Sequence, residues 1–174
     1  MEDNNSNITS LKNLLDYNIQ KATGAEAQLI NILPEWINKS ISVKLKIVLQ
    51  KYLDLVQLHL EKLNNFLEEE KIISLGVTSQ VMQAFIEETN EQLSKCTDAE
   101  VKDACLLAYL QNINHFKISL YGTSAAFANT LDMSKHASVF HEAEINEKQI
   151  DDRLSQLAVH EINVNARAPI ILSE

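Results

Sequence analysis

The chain has 174 residues, 45% of them hydrophobic and 22% charged, which are the proportions of one globular domain with ample length for a single core. A net charge of −9 argues against nucleic acid as a partner and against docking on anionic lipid, because both need a basic face. Only 3 Gly and 2 Pro occur, and strands need the turns those residues favour, so the shortage predicts a few long helices.

Residues 1–8 read as a disordered N-terminus. They are polar and acidic, with neither the basic nor the apolar region of a signal peptide. No apolar stretch approaches the roughly 20 residues of a membrane span. Cys96 and Cys105 match no metal or redox spacing, which predicts a reduced, cytoplasmic protein with Cys105 as a small core residue.

Thr9 or Ser10 can cap a first helix running to about Leu33, where Pro34 kinks or ends it. Its stripe is Leu11, Leu15, Asn18, Ala22, Ala25 or Glu26, Leu29 and Leu33. Ser40 or Ser42 opens a second helix to about Glu70. Its seam, Leu45, Leu49, Tyr52, Val56, His59, Leu63 and Phe66, alternates steps of four and three. Glu68, Glu69 and Glu70 oppose the macrodipole at its end and predict fraying there. A loop around Gly76 leads to a short helix capped by Ser79, with Val81, Met82, Phe85, Ile86 and Leu93 on one face.

The capping box Thr97-Asp98-Ala99-Glu100 starts a long helix that is apolar over a wide arc, so it must be largely surrounded. Gly122 within it permits a close backbone approach. Asp132 or Ser134 caps the last long helix, whose stripe is Phe140, Ala143, Glu147, Ile150, Leu154 and Leu157, with Asp151 one turn beyond Glu147. Residues 9–161 thus form one all-α four-helix bundle. Residues 162–174 form a tail ending in the apolar run Pro169-Ile170-Ile171-Leu172. Two briefly joined helix pairs, linked by a long connection that carries a short extra helix, give the single-crossover topology of a ferritin-like bundle.

Glu26, His59, Glu147 and Asp151 all fall on apolar stripes. Ionised groups inside a bundle need a partner, since dehydrating them costs several kcal/mol or more, and the usual partner for inward Glu, Asp and His is a metal pair. Several segments are also familiar: Gly24-Ala25-Glu26-Ala27-Gln28-Leu29 with Leu33-Pro34; Leu53 through His59 to Leu63; Asp98 through Ala104 and on to Asn114-His115-Phe116 and Tyr121-Gly122-Thr123; and Glu147-Lys148 to Asp151-Asp152-Arg153-Leu154. In their order and spacing the chain resembles the YciE/YciF-like family of ferritin-like bacterial proteins, a domain-of-unknown-function family linked to stress responses.

The resemblance implies a dinuclear iron or manganese site with carboxylates from four helices and a histidine from the second. Glu26, His59, Glu147 and Asp151 match positions of that pattern. Other positions depart from it. Where the family reads Glu-His-Tyr-Glu this chain reads Asn114-His115-Phe116-Lys117, and acidic positions appear as Leu55 and Asn18. An ammonium beside two dications is repelled and has no lone pair to offer. Either the Lys117 ammonium stands in for the metal and compensates the carboxylates, or Lys117 snorkels to solvent.

Three functions remain from the sequence. One is a stress-associated protein with a degenerate, metal-free site. The second is a ferroxidase- or peroxide-reducing-type oxidoreductase holding iron or manganese at Glu26, His59, Glu147 and Asp151. The third is a helical interaction module whose tail recruits a protein partner. A homodimer is the expected assembly. Hydrolase and nucleotide-binding signatures are lacking.

Overall fold

The computed structural model describes residues 7–73 and 76–167. Most of the predicted disordered N-terminus and the Pro169–Leu172 patch lie outside the described residues. Five helices follow in order: α1 (Leu11–Lys39), α2 (Val43–Glu69), α3 (Gln80–Lys95), α4 (Ala99–Thr130) and α5 (Ser134–Leu157). A π-helical turn (Ala158–Ile162) and one further helical turn (Asn163–Asn165) extend α5, and Ile162 is buried in the core. Among the described residues there is no strand, and no helix is long and apolar enough to cross a membrane.

Side-chain caps fix four of the five starts. Ser10, Ser42, Ser79 and Asp98, the last in place of Thr97 of the expected capping box, accept from the backbone N–H of Asn13, Leu45, Met82 and Val101, which satisfies donors that the first turn leaves free. The start of α5 departs from expectation. Neither Asp132 nor Ser134 caps it. Met133 holds the cap position, after Asp132 has turned the chain with φ 57°.

Pro34 does not end α1, which continues to Lys39. Proline forfeits one backbone hydrogen bond, and the buried Trp36 holds the following turn in place. Trp36 is fully buried and its indole N–H donates to Asn90 of α3 at 2.9 Å. On the same helix Ile19, rather than Asn18, takes the inward position. The acidic end of α2 stays helical through Glu69. Lys135 of α5 reaches Glu69 at 2.7 Å and Lys12 of α1 reaches Glu70 at 3.1 Å, so cations from two other helices offset the macrodipole.

The order of buried residues along each helix gives the topology. Leu15, Ile19 and Ala22 share one apolar cluster with Leu63, Phe66, Leu67, Tyr121, Ala125, Ala128, Ala137, Phe140 and Ala143. Leu29, Leu33 and Trp36 share the other with Leu45, Leu49, Tyr52, Leu106, Leu107, Leu110, Ile150 and Leu154. So α1 and α5 run one way, α2 and α4 the other. The chain must therefore return along the length of the bundle between α2 and α4, as in a ferritin-like fold.

Helix α3 makes that return in the groove between α1 and α4. Gln28 accepts from the backbone N–H of Ser79 at 2.9 Å, Trp36 meets Asn90, and Tyr109 of α4 donates to Glu88 at 3.1 Å. Its inward residues are Met82, Thr89 and Leu93; Phe85 and Ile86 pack partly against the core, and Val81 faces solvent. Gly24 lets the crossover lie against α1, because a Cβ there would stand 1.9 Å from the carbonyl oxygen of Val77. Gly122 has another role than expected. Its nearest neighbour is the Glu144 side chain, at 3.2 Å from a Cβ position, and not a backbone.

Candidate functional site

Between the two apolar clusters lies a polar layer. It falls at Glu26 between Ala22 and Leu29, at His59 between Val56 and Leu63, at Asn114 and Lys117 between Ile113 and Tyr121, and at Glu147 between Ala143 and Ile150. Each helix keeps its three-four rhythm through the layer, so the helical period that points leucines inward points these groups inward too. All five are at most 2% exposed.

Lys117 is the centre of the layer. Its Nζ lies 2.9 Å from Oε2 of Glu26 and 2.6 Å from Oε1 of Glu147. It also donates to the Tyr52 hydroxyl at 3.2 Å and stands 4.8 Å from the centre of that ring. The snorkelling alternative is thus not the observed geometry.

The carboxylates are held from their other sides. Oε2 of Glu147 accepts from the Tyr52 hydroxyl at 3.0 Å and from the Asn114 amide at 2.6 Å. Oε1 of Glu26 accepts from the Tyr121 hydroxyl. Among the described residues the two oxygens facing Lys117 have no directional hydrogen bond and are held by charge.

His59 completes the layer from α2. Its Nδ1 lies 3.5 Å from Glu26 and 3.4 Å from Glu147, longer than a typical hydrogen bond, and has no hydrogen-bond partner among the described residues; its Nε2 meets the Asn146 amide at 3.3 Å. The ring packs edge-on against Tyr121, centroids 5.3 Å apart.

The electrostatics follow from this arrangement. Burial disfavours the imidazolium, but Glu147 and Glu26 outweigh it and hold the His59 pKa above its ordinary value. Burial likewise opposes the ammonium of Lys117, and the same two carboxylates raise its pKa nonetheless. For Glu147, burial resists ionisation, while Lys117 and His59 pull its pKa below the usual value. Burial and the carboxylates push both tyrosines well up, so Tyr52 and Tyr121 are neutral donors. Two carboxylates thus face one ammonium, and a protonated His59 would supply the second positive charge.

Asp151 is not part of this layer. It faces the flank of α4, 3.1 Å from the exposed His115 and accepting from Gln111 at 3.3 Å. From Glu147 the helix can continue inward three or four residues on. Ile150 takes the inward position and leaves Asp151 at the edge. Asn114, by contrast, looks in sequence like a lost ligand, yet its amide supports Glu147. The spacing of Tyr52 two turns before His59, and of Tyr121 one turn after Lys117, was the sequence signal for the hydroxyl donors. Asp103 carried no such signal. It is buried, and its carboxylate accepts from the backbone N–H of Ile41 at 3.2 Å and of Ser42 at 2.7 Å, so a residue of α4 caps the start of α2.

Ligand atoms of Glu26, His59 and Glu147 lie within 4.8 Å of one another, near enough to surround one cation. The Lys117 ammonium already touches both carboxylates. A dinuclear iron or manganese centre draws on a Glu from each of two helices and a Glu–His pair from each of the other two. Two carboxylates, one imidazole and an inward ammonium do not fit that centre.

The family model described as domain of unknown function DUF892 matches residues 10–167. Protein YciF of Escherichia coli (strain K12) is 28% identical over 161 residues, which cover 92% of this chain and 97% of that protein. The crystal structure of the E. coli stress protein YciF matches with a TM-score of 0.83 at 27% identity, over 90% of this chain and 99% of the other. YcfI from Rhodopseudomonas palustris shares the fold, with a TM-score of 0.82 at 24% identity over 87% and 96% of the two chains. This chain, a ferritin-like helical bundle with a single crossover, belongs to the DUF892 family, to which its likeness to YciF also points.

Proposed function

We propose that this protein is a non-catalytic, stress-associated member of its family, in which the Lys117 ammonium takes the place of a metal at the centre of the bundle. The observation that carries the reading is the pair of contacts from Lys117 Nζ, 2.9 Å to Glu26 and 2.6 Å to Glu147. A charge fixed to the chain neutralises carboxylates without offering a redox couple or an open coordination position. The tyrosine and asparagine donors then occupy lone pairs that a metal ligand would need free. The association with stress rests on the description of E. coli YciF as a stress protein.

The oxidoreductase reading keeps one observation in its favour, the convergence of Glu26, His59 and Glu147. It requires Lys117 to leave a fully buried position. Protein purified from cells grown with added iron and manganese, and analysed by plasma mass spectrometry, separates the two. Metal far below one ion per chain is expected. About two ions per chain, the content of a dinuclear site, would overturn the proposal.

A further inference from the structure

Cys96 and Cys105 sit in different helices of one antiparallel hairpin. Helix α3 ends at Lys95 with Cys96 at its C-cap, and α4 begins at Ala99. The register of the hairpin is fixed by two contacts: the rings of Phe85 and Phe116, with centroids 5.9 Å apart, and the Tyr109 hydroxyl on Glu88. Cys96 follows Phe85, and Cys105 precedes Phe116, by the same number of residues, about three helical turns. The pair of thiols therefore falls on the same facing surfaces as the pair of rings. There they face each other across the hairpin, near enough for Cys96 to raise the Cys105 pKa. Both are free thiols and half-buried, so neither is sealed in the core. Cys96 Sγ also lies 3.4 Å from the Gln92 carbonyl oxygen, a contact weak enough to give up.

We propose that Cys96 and Cys105 form a peroxide-oxidisable dithiol, whose disulfide ties the crossover helix α3 to α4. Burial, with the neighbouring Cys96, pushes the Cys105 thiol up to about 11, so Cys105 is kept protonated and Cys96 is the attacking group. The Cys96 thiolate attacks one oxygen of hydrogen peroxide. The O–O bond breaks, hydroxide leaves and is protonated to water, and Cys96 becomes a sulfenic acid. The Cys105 sulfur then attacks the Cys96 sulfur. The S–S bond forms, the S–O bond breaks, and the departing hydroxide takes the Cys105 proton as a second water. Two thiols are oxidised by two electrons in all, and one peroxide is reduced to two waters. This proposal is independent of the polar layer, which lies deeper in the bundle.

The test uses the intact wild-type chain. Reduced protein is treated with a small excess of hydrogen peroxide, quenched and alkylated, then read by intact mass and tryptic mapping. The expected product is a monomer lighter by about 2 Da, the two thiol hydrogens. Peptides 96–102 and 103–117 should be joined, and dithiothreitol should separate them. The variants Cys96→Ser and Cys105→Ser should each lose the cross-link, and Cys105→Ser should leave a sulfenic acid that dimedone traps at Cys96. Both thiols still alkylating after peroxide would overturn the proposal. So would a disulfide between two chains, or sulfinic acid without a cross-link.

Discussion

Replacing Lys117 with Met tests the central ion cluster with little change in volume. Methionine keeps the unbranched stem and removes the ammonium, so the cavity contribution is small and the charge contribution remains. Two buried carboxylates would then face each other with His59 as their only cationic neighbour among the described residues. Removing one partner from a buried ion pair costs about 3–5 kcal/mol, mainly because the remaining charge stays dehydrated. At this chain length each kcal/mol lowers the melting temperature by about 2–4 °C, so the loss should be roughly 6–20 °C. Since total stability is about 5–15 kcal/mol, the variant should fold but be marginal.

Its pH dependence separates the charge effect from packing. In the variant, a carboxylate without the ammonium takes up a proton more readily in the folded state than in the unfolded one, so folding is favoured as pH falls. In the wild type, Glu147 has a lowered pKa. Its contribution is present above the unfolded value of 4.5 and is lost as pH falls through the folded one. The first trend narrows the gap between the two proteins from pH 8 to 5, and the second adds to it only below pH 4.5. Urea unfolding followed by circular dichroism at pH 5, 6, 7 and 8 would show the deficit shrinking on acidification. A deficit below about 1 kcal/mol at pH 7, within the range of a surface pair, would refute the reasoning. A deficit independent of pH would do the same. Adding Glu26→Gln and Glu147→Gln to Lys117→Met should recover most of the loss, since the uncompensated charges are then gone.

Other expectations follow from single contacts. His59→Gln should flatten the stability profile above pH 6.5. The raised pKa of His59 gives a contribution that is complete below 6.5 and lost as pH rises through the folded value, and urea midpoints from pH 6 to 9 would show whether the variant retains that decline. Gly24→Ala forces a methyl into the Val77 carbonyl and should cost about 1–3 kcal/mol as the crossover is pushed away; an unchanged melting temperature would mean that the approach is not fixed. Asp103→Ala removes the acceptor for two backbone N–H groups at the start of α2 and should cost about 1–3 kcal/mol, with faster amide exchange at Ile41 and Ser42; unaltered exchange there would contradict the capping role.

The helices were legible because their information is local. Caps at Ser10, Ser42 and Ser79, a cap signal within one residue of Asp98, and the three-four rhythm of α2 act within a few residues, so the chain alone determined five helices, a long crossover and an inward direction for Glu26, His59 and Glu147. Pro34 shows where local rules stop. Its missing hydrogen bond argued for a helix end, and the burial of Trp36 against α3 outweighed it.

Only the tertiary structure decided which inward groups meet. Periodicity gave Glu147 and Asp151 equal standing, and the position of α4 beside α5 put one in the core and the other on the flank. It left Lys117 free to reach water, and the surrounding helices turned it onto two carboxylates. It saw no relation between Cys96 and Cys105, which the hairpin register places on facing surfaces. The physical reason is the same in each case. A residue's face on its own helix is set by a fixed rotation per residue, whereas its neighbours depend on how separate helices slide and turn against one another.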